Sequence, residues 1–312
     1  MERDEYAAAG TSTMNYPLLR VNLSAYYAER PILREICFDL QAGEALGFVG
    51  TSGAGKSTLA MSLLGLLPWR GGHVRGEVLL NGQNLSTLRE REMRQLRGRR
   101  IALVPQSPMT ALNSAIRLRT HFEAAWSAHE RRGGNPLQSR LAEILAQVQL
   151  PSSRDFLARY PSEISVGQAQ RVMIAMALLH RPEILIADEP TSALDPVTQA
   201  EIVSLLRRLN RSTGTALLYI SHDLISVLQL CSRIAVLDRG TLVECLPVTE
   251  IQSARHPSTV ALLRALPVPA HILLGLRAVE PEGVRDSSSE RRIDAADGCC
   301  QSIAPDGVES LS

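Results

Sequence analysis

Lys56 is the only lysine in a chain of 312 residues; of its 33 Lys+Arg side chains the other 32 are arginine. It stands in Gly50-Thr51-Ser52-Gly53-Ala54-Gly55-Lys56-Ser57, with Thr58 next, and this run fits the phosphate-cradling pattern G-x-x-x-x-G-K-[ST] at every fixed position. In such a loop the backbone N–H groups surround an anion. A compact ammonium then fits between β- and γ-phosphates, where a planar guanidinium is too broad. Arginine serves at every other basic position of the chain; at 56 it does not. The chemistry indicated is nucleotide binding.

Three further sites fall into place around that loop. Ile184-Leu185-Ile186-Ala187-Asp188-Glu189 is an apolar run ending in two acids. Asp188 is placed to hold Mg²⁺, usually through water, with the Ser57 hydroxyl as a second ligand. Glu189 is then the candidate general base for an attacking water. Gln106 follows the apolar run Ile101–Val104, where its amide could reach Mg²⁺ or that water. His222 closes the run Ala216–Ile220, a position suited to contact with a γ-phosphate. Read singly, each is an ordinary solvated residue; the phosphate loop is what gives them a joint meaning.

The elements needed to hold these residues are legible in outline. Leu18–Val21 is an apolar-rich segment, and strands are expected at Ile36–Leu40, Ala45–Val49, Glu77–Leu80, Ile101–Val104, Ile184–Ala187, Ala216–Ile220 and Ile234–Leu237. The short all-apolar ones suit a largely parallel sheet buried on both faces. A helix is expected from Lys56 to about Leu67, stopped by Pro68. That strand–loop–helix order directs backbone N–H groups and a helix N-terminus at the anion. Further helices are expected at Leu88–Arg97, Ile116–His129, Leu137–Gln149, Gln168–Leu179, Val197–Leu209 and Leu224–Leu230, with a break at 131–136. The pattern is an α/β core carrying an all-helical insert, about residues 107–180. Residues 1–16 read as a polar leader. Residues 268–312 read as an extension, without periodicity after about 284 and expected to be disordered there.

Bulk properties exclude several classes. The net charge of +1 supplies no field for nucleic acid or an anionic membrane. No apolar run approaches the ~20 residues that span a bilayer, and the acidic start lacks a signal-peptide core. Cys37, Cys231, Cys245, Cys299 and Cys300 have neither metal-ligand spacing nor a paired framework, so reduced cytoplasmic thiols are expected.

The loop at 50–57, Gln106, Ile164-Ser165-Val166-Gly167-Gln168, Asp188-Glu189, Ser192-Ala193-Leu194-Asp195 and His222 form one ordered series. The series resembles the nucleotide-binding subunit of ABC transporters over residues 17–267. Residues 164–168 are similar to the family's signature, Leu-Ser-Gly-Gly-Gln, and Arg171-Val172-Met173-Ile174-Ala175 continues the pattern. The resemblance implies a phosphate-loop NTPase core with a mostly parallel sheet, an antiparallel β subdomain and the helical insert. It also implies ATP and Mg²⁺ as ligands, with Tyr27, or its neighbour Tyr26, as the aromatic that stacks on adenine. Two subunits would close head-to-tail, so that Ser165, Gly167 and Gln168 of each meet the nucleotide held by the other, with Asp195 at the interface. Glu189, His222, Lys56 and Gln106 would act in hydrolysis. Val166 departs from the signature's first glycine; a β-branched side chain there is expected to crowd the partner's nucleotide and slow the reaction.

His256-Pro257-Ser258-Thr259 through Leu266-Pro267, together with Pro105-Gln106-Ser107-Pro108-Met109-Thr110-Ala111-Leu112-Asn113, resemble the ATPases of peptide and nickel importers. Two members' features are missing: an aromatic where Ser258 stands, and the cysteine cluster that would hold an iron–sulfur group. The implied partners are a second ATP-binding subunit, integral-membrane permeases and an extracytoplasmic solute-binding protein, with no nucleic acid; the implied place is the cytoplasmic face of the membrane. Nickel or another small solute is the alternative cargo. A phosphate-loop kinase would lack the signature and the Ser-Ala-Leu-Asp segment, and a DNA-maintenance ATPase would need a long coiled-coil insertion in place of this short insert.

Overall fold

Strand residues that alternate between two apolar environments need a core on each side, and here both exist. In the computed structural model, which describes residues 16–130 and 136–267, Leu217 and Tyr219 enter one hydrophobic cluster while Ala216, Leu218 and Ile220 enter another. Leu185 and Ala187 divide from Ile184 and Ile186 in the same way. The period of two in side-chain direction thus fixes which face each residue serves.

In chain order the described elements are β1 (Leu19–Tyr27), β2 (Arg30–Leu40), β3 (Ala45–Val49), α1 (Lys56–Leu63), β4 (Gly72–Leu80), β5 (Gln83–Asn84), α2 (Glu90–Leu96) and β6 (Ile101–Val104). The helices α3 (Pro108–Ala111), α4 (Leu118–Ser127), α5 (Pro136–Gln147), α6 (Arg154–Leu157) and α7 (Val166–Ala177) follow. Then come β7 (Ile184–Asp188), α8 (Pro196–Thr213), β8 (Ala216–Ile220), α9 (Leu224–Leu230), β9 (Arg233–Asp238), β10 (Thr241–Pro247) and α10 (Pro257–Arg264). One sheet has the order β10-β9-β3-β8-β7-β6. It is parallel from β9 to β6, with β10 antiparallel at its edge. The second sheet, β2-β1-β4-β5, is antiparallel throughout. The antiparallel sheet and α1 cover one face of the parallel sheet; α7, α8, α9 and the α3–α6 helices lie against the other. The expected α/β class, with an antiparallel sheet and inserted helices, is the observed one.

Several boundaries differ from the sequence expectation. Helix α1 stops at Leu63, not Leu67, because Gly65 turns left-handed (φ 60°) and donates its N–H to Ser62 O at 3.0 Å. Pro68 lies inside the 3-10 turn that follows. Strands β1, β2 and β4 run beyond the expected segments, because Asn22, Arg34, Glu35 and Arg75 at exposed positions interrupt the apolar runs without ending the ladders. β5 and β10 were not anticipated. Each is reached through a two-residue turn with both residues at positive φ: Asn81 (48°) and Gly82 (78°), then Arg239 (46°) and Gly240 (81°).

The segment at 256–267 is anchored by its own polar groups. His256 Nδ1 accepts from Ser258 N at 3.2 Å and so caps α10, while Ser258 Oγ donates to Asp238 Oδ2 at 2.9 Å. Ser258, the departure from the family's aromatic, therefore ties this helix to β9. Among the described residues Cys37, Cys231 and Cys245 form no disulfide, and no helix is long and apolar enough to cross a membrane. The expectations for residues 1–15, 131–135 and 268–312, including the leader, the tail and Cys299-Cys300, lie outside the described residues.

Candidate nucleotide-binding site

The loop at 50–55 leaves fully buried β3 and enters α1. Its glycines are demanded by close approach and by backbone sign. A Cβ on Gly50 would lie 2.2 Å from Leu237 O; one on Gly55 (φ 105°) would lie 2.6 Å from Leu33 Cδ2. Gly53 sits in open space but has φ 80°, a conformation in which only glycine is unstrained. Gly240 N–H donates to Ala54 O at 3.1 Å, so the β9–β10 turn buttresses the loop. Gly240 itself lies so near Ile32 O that a Cβ would be 2.0 Å away. Thr51, Ser52 and Ser57 are exposed on this rim, Thr58 is half-buried, and Ala54 is buried.

Lys56 is only 6% exposed. Its ammonium donates to Gly50 O at 2.8 Å and Thr51 O at 3.1 Å, and lies 3.9 Å from Glu189 Oε1. Burial lowers its pKa, while the charges of Glu189 and Asp188 act the other way. Asp188 closes β7. Burial raises its carboxyl, a bond from the Ser57 hydroxyl opposes that, and Glu189 adds to the rise. Its Oδ1 is buried without a hydrogen-bond partner. A buried carboxylate oxygen with an open lone pair, next to a hydroxyl bonded to the same carboxylate, is the donor set that a hard divalent cation takes. The residues fit Mg²⁺.

Glu189 joins the remaining parts. Its backbone is left-handed (φ 46°), unusual for a non-glycine residue, and its N–H is held by Ile220 O at 2.8 Å. That turn brings the carboxylate beside three side chains: Oε2 accepts from Gln106 Nε2 at 3.0 Å and lies 3.4 Å from His222 Nδ1, while Oε1 faces Lys56. Gln106, Glu189, His222, Lys56, Ser57 and Asp188 are thus one constellation at the C-terminal ends of β6, β7, β8 and β3.

Other expected site residues are not in it. Ser165, Gly167 and Gln168 start α7, where Ser165 Oγ accepts from Gln168 N and Gln168 Oε1 accepts from Ser165 N, both at 3.1 Å. Gly167 packs on α8: a Cβ there would meet Thr198 Cγ2 at 2.7 Å. Asp195 caps α8, accepting from Val197 N, Thr198 N and Thr198 Oγ1, and these bonds hold its carboxyl below the usual range. Among the described residues no hydrogen bond or ion pair links 164–168 to the loop at 50–58. Val166 and Val197, 39% and 70% exposed, flank this second group. Tyr27 is half-buried against the apolar cluster beneath the antiparallel sheet. Tyr26 stacks on His73 (centroids 5.0 Å apart), with the Arg75 guanidinium over its ring at 5.1 Å.

The polar side chains behind the site carry no pattern of their own in the sequence. Thr191, Tyr219, Ser221 and Ser226 are all less than 5% exposed. The one legible signal was a phenol within an otherwise apolar strand, Ala-Leu-Leu-Tyr-Ile.

Comparisons with known proteins bear on the family and the fold. Residues 33–192 match the family model described as ABC transporter. The probable D,D-dipeptide transport ATP-binding protein DdpD of Escherichia coli is 36% identical over 268 residues, covering 84% of this chain and 82% of that protein. A probable peptide ABC transporter ATP-binding protein of Sinorhizobium fredii, y4tR, is 41% identical, covering 78% and 74%. Among solved structures, a dimeric ATP-binding cassette, MJ0796, in a post-hydrolysis state bound to ADP and Pi, superposes with a TM-score of 0.63 at 27% identity, covering 74% of this chain and 98% of that one. On motif order, fold and kinship together, this chain belongs to the ABC transporter family.

Proposed function

We propose that the chain is the ATP-hydrolysing subunit of an importer for peptides, working at the cytoplasmic face of a membrane with permease subunits, a second ATP-binding subunit and an extracytoplasmic solute-binding protein. The observation that carries the catalytic part is the placing of Glu189 between Gln106, His222 and Lys56. What supports the cargo is the naming of its relatives as peptide and dipeptide transport proteins.

The geometry supports the following division of labour. On engaging ATP, Lys56 exchanges the carbonyls of Gly50 and Thr51 for β/γ-phosphate oxygens, joined by the N–H groups of the loop and of α1's first turn. Ser57 and Asp188 would hold Mg²⁺, which when bound neutralises charge developing on the phosphates. Glu189 accepts the proton of the attacking water. Gln106 donates to the same carboxylate and so orients it, and His222 stands on its other side, toward the γ-phosphate. The remaining donors come from a second subunit. Ser165 and Gly167 lie at a helix N-terminus with no hydrogen bond to the loop at 50–58 among the described residues, and head-to-tail closure would bring them, with Gln168 and Asp195, onto the partner's nucleotide. Tyr27 is the proposed adenine platform. In this reading ATP holds the two subunits together and hydrolysis releases them.

The test of cargo is co-purification with the permeases, followed by addition of ligand-loaded binding proteins. Stimulation of ATP hydrolysis by a peptide-loaded protein is expected. Stimulation by a nickel-loaded protein alone overturns the peptide assignment, and phosphorylation of an added small acceptor overturns the transport reading altogether.

A further inference from the structure

Glu189 and His222 come from different strand ends, and the left-handed backbone at Glu189 needs support from outside its own loop. A buried polar chain supplies it. Thr191 Oγ1, two residues beyond Glu189, lies 3.4 Å from the Tyr219 hydroxyl. That hydroxyl donates to Ser226 Oγ at 3.2 Å, and Ser226 Oγ donates to the backbone carbonyl of Asp223 at 2.8 Å. Asp223 N–H is held by Ser221 Oγ at 3.0 Å, and Gln199 Nε2 donates to Asp223 Oδ2 at 2.7 Å. Both neighbours of His222 are therefore pinned, and the pin runs through Tyr219 to the segment that carries Glu189.

We propose that Tyr219 is a positioning residue for ATP hydrolysis, its hydroxyl tying the 189–192 turn to the 221–223 turn so that Glu189 and His222 stay in register. The phenol is wholly buried at the fourth of the five residues of β8, and burying its hydroxyl carries a desolvation cost that an aliphatic side chain would avoid. Its two partners, Thr191 and Ser226, are 4% and 2% exposed, so the tie is shielded from competing water. Neither Thr191 nor Ser226 is within the constellation that meets the nucleotide; the chain acts by holding what does. Gln199 extends the same tie to α8, four residues from the Asp195 cap.

The proposal rests on the catalytic reading of Glu189 and His222, and its test separates the two. Tyr219→Phe keeps the ring and removes only the hydroxyl; Ser226→Ala removes the next link. Measured on the full chain, each is expected to lower kcat about three- to tenfold with KM for ATP unchanged. The double variant is expected to fall no further than the worse single one, as members of one chain do. A crystal structure of Tyr219→Phe is expected to show Glu189 Oε2 and His222 Nδ1 moved apart from 3.4 Å. An unmoved pair, or a double variant whose losses multiply, overturns the tie. A pair that separates while kcat is unchanged overturns the catalytic assignment of Glu189 and His222 instead.

Discussion

Gly167→Ala is the substitution for which the structure sets the sharpest expectation. The new methyl would lie 2.7 Å from Thr198 Cγ2, about 0.7 Å short of the 3.4 Å at which ordinary contact begins. Gly167 has no positive φ, so backbone strain plays no part and the effect is purely one of crowding. Thr198 cannot swing aside freely. Its Oγ1 donates to Asp195 Oδ2 at 2.6 Å, so rotating the side chain gives up that bond, although Asp195 still caps α8 through the backbone N–H groups of Val197 and Thr198. Overpacking of this kind costs about 1–3 kcal/mol. For a domain of this size about 2 kcal/mol is a fall in melting temperature of about 4–8 °C, read by calorimetry. The companion variant Thr198→Ser removes Cγ2 and keeps the hydroxyl, so Gly167→Ala/Thr198→Ser is expected to recover most of the loss, a coupling of at least ~1 kcal/mol. A melting temperature unchanged in Gly167→Ala, or a double variant no more stable than the single, refutes the α7–α8 contact as the reason for glycine here.

Lys56→Arg, conservative at any other basic site in this chain, is expected to abolish hydrolysis, since the broader guanidinium must fit where Lys56 itself is only 6% exposed; a steady-state assay retaining wild-type turnover contradicts it. Asp188→Asn should stabilise the protein in buffer free of nucleotide and Mg²⁺ by about 1 kcal/mol at pH 7, because it removes a buried charge with an unpartnered oxygen. The sign of the pH dependence follows from the raised carboxyl. The carboxylate penalty is fully present above the folded pKa and vanishes below the unfolded one, so the gain in melting temperature should shrink as pH falls through that window. Growth of the gain on acidification would refute it. Val166→Gly is expected to raise steady-state ATPase in the assembled complex by relieving crowding at the partner's nucleotide, and an unchanged or lower rate counts against crowding.

Residues whose role depends on local order were readable before the fold. Lys56, Asp188, Glu189, Gln106 and His222 each follow a short apolar strand, and strands of one parallel sheet bring their C-terminal ends to one edge, so linear order became proximity. Residues whose role depends on what crosses from elsewhere were not. Gly50 is glycine because of Leu237 O and Gly240 because of Ile32 O, neighbours distant in the chain that no local pattern shows. The length of β1 was hidden because exposed Asn22 interrupts the apolar periodicity without disturbing the ladder. Helix α1 ended four residues early because Gly65 turned the chain before Pro68 could. Tyr219 lay in plain view as a polar group in an apolar strand, but only the partners Thr191 and Ser226 give it a purpose.

The central claim is that ATP bound at Lys56 is hydrolysed through Glu189 inside a dimer closed by the segment at 165–168. Glu189→Gln keeps the side chain's shape and its neighbours while removing the base, a change expected to cost about 10²–10⁴ in rate. The most direct measurement is gel filtration of that variant with ATP and Mg²⁺, beside the wild type. A variant that elutes as a lasting dimer with ATP, and as a monomer with ADP, is the predicted result. A variant that stays monomeric with ATP bound, or that still hydrolyses ATP within about threefold of the wild-type rate, contradicts the account.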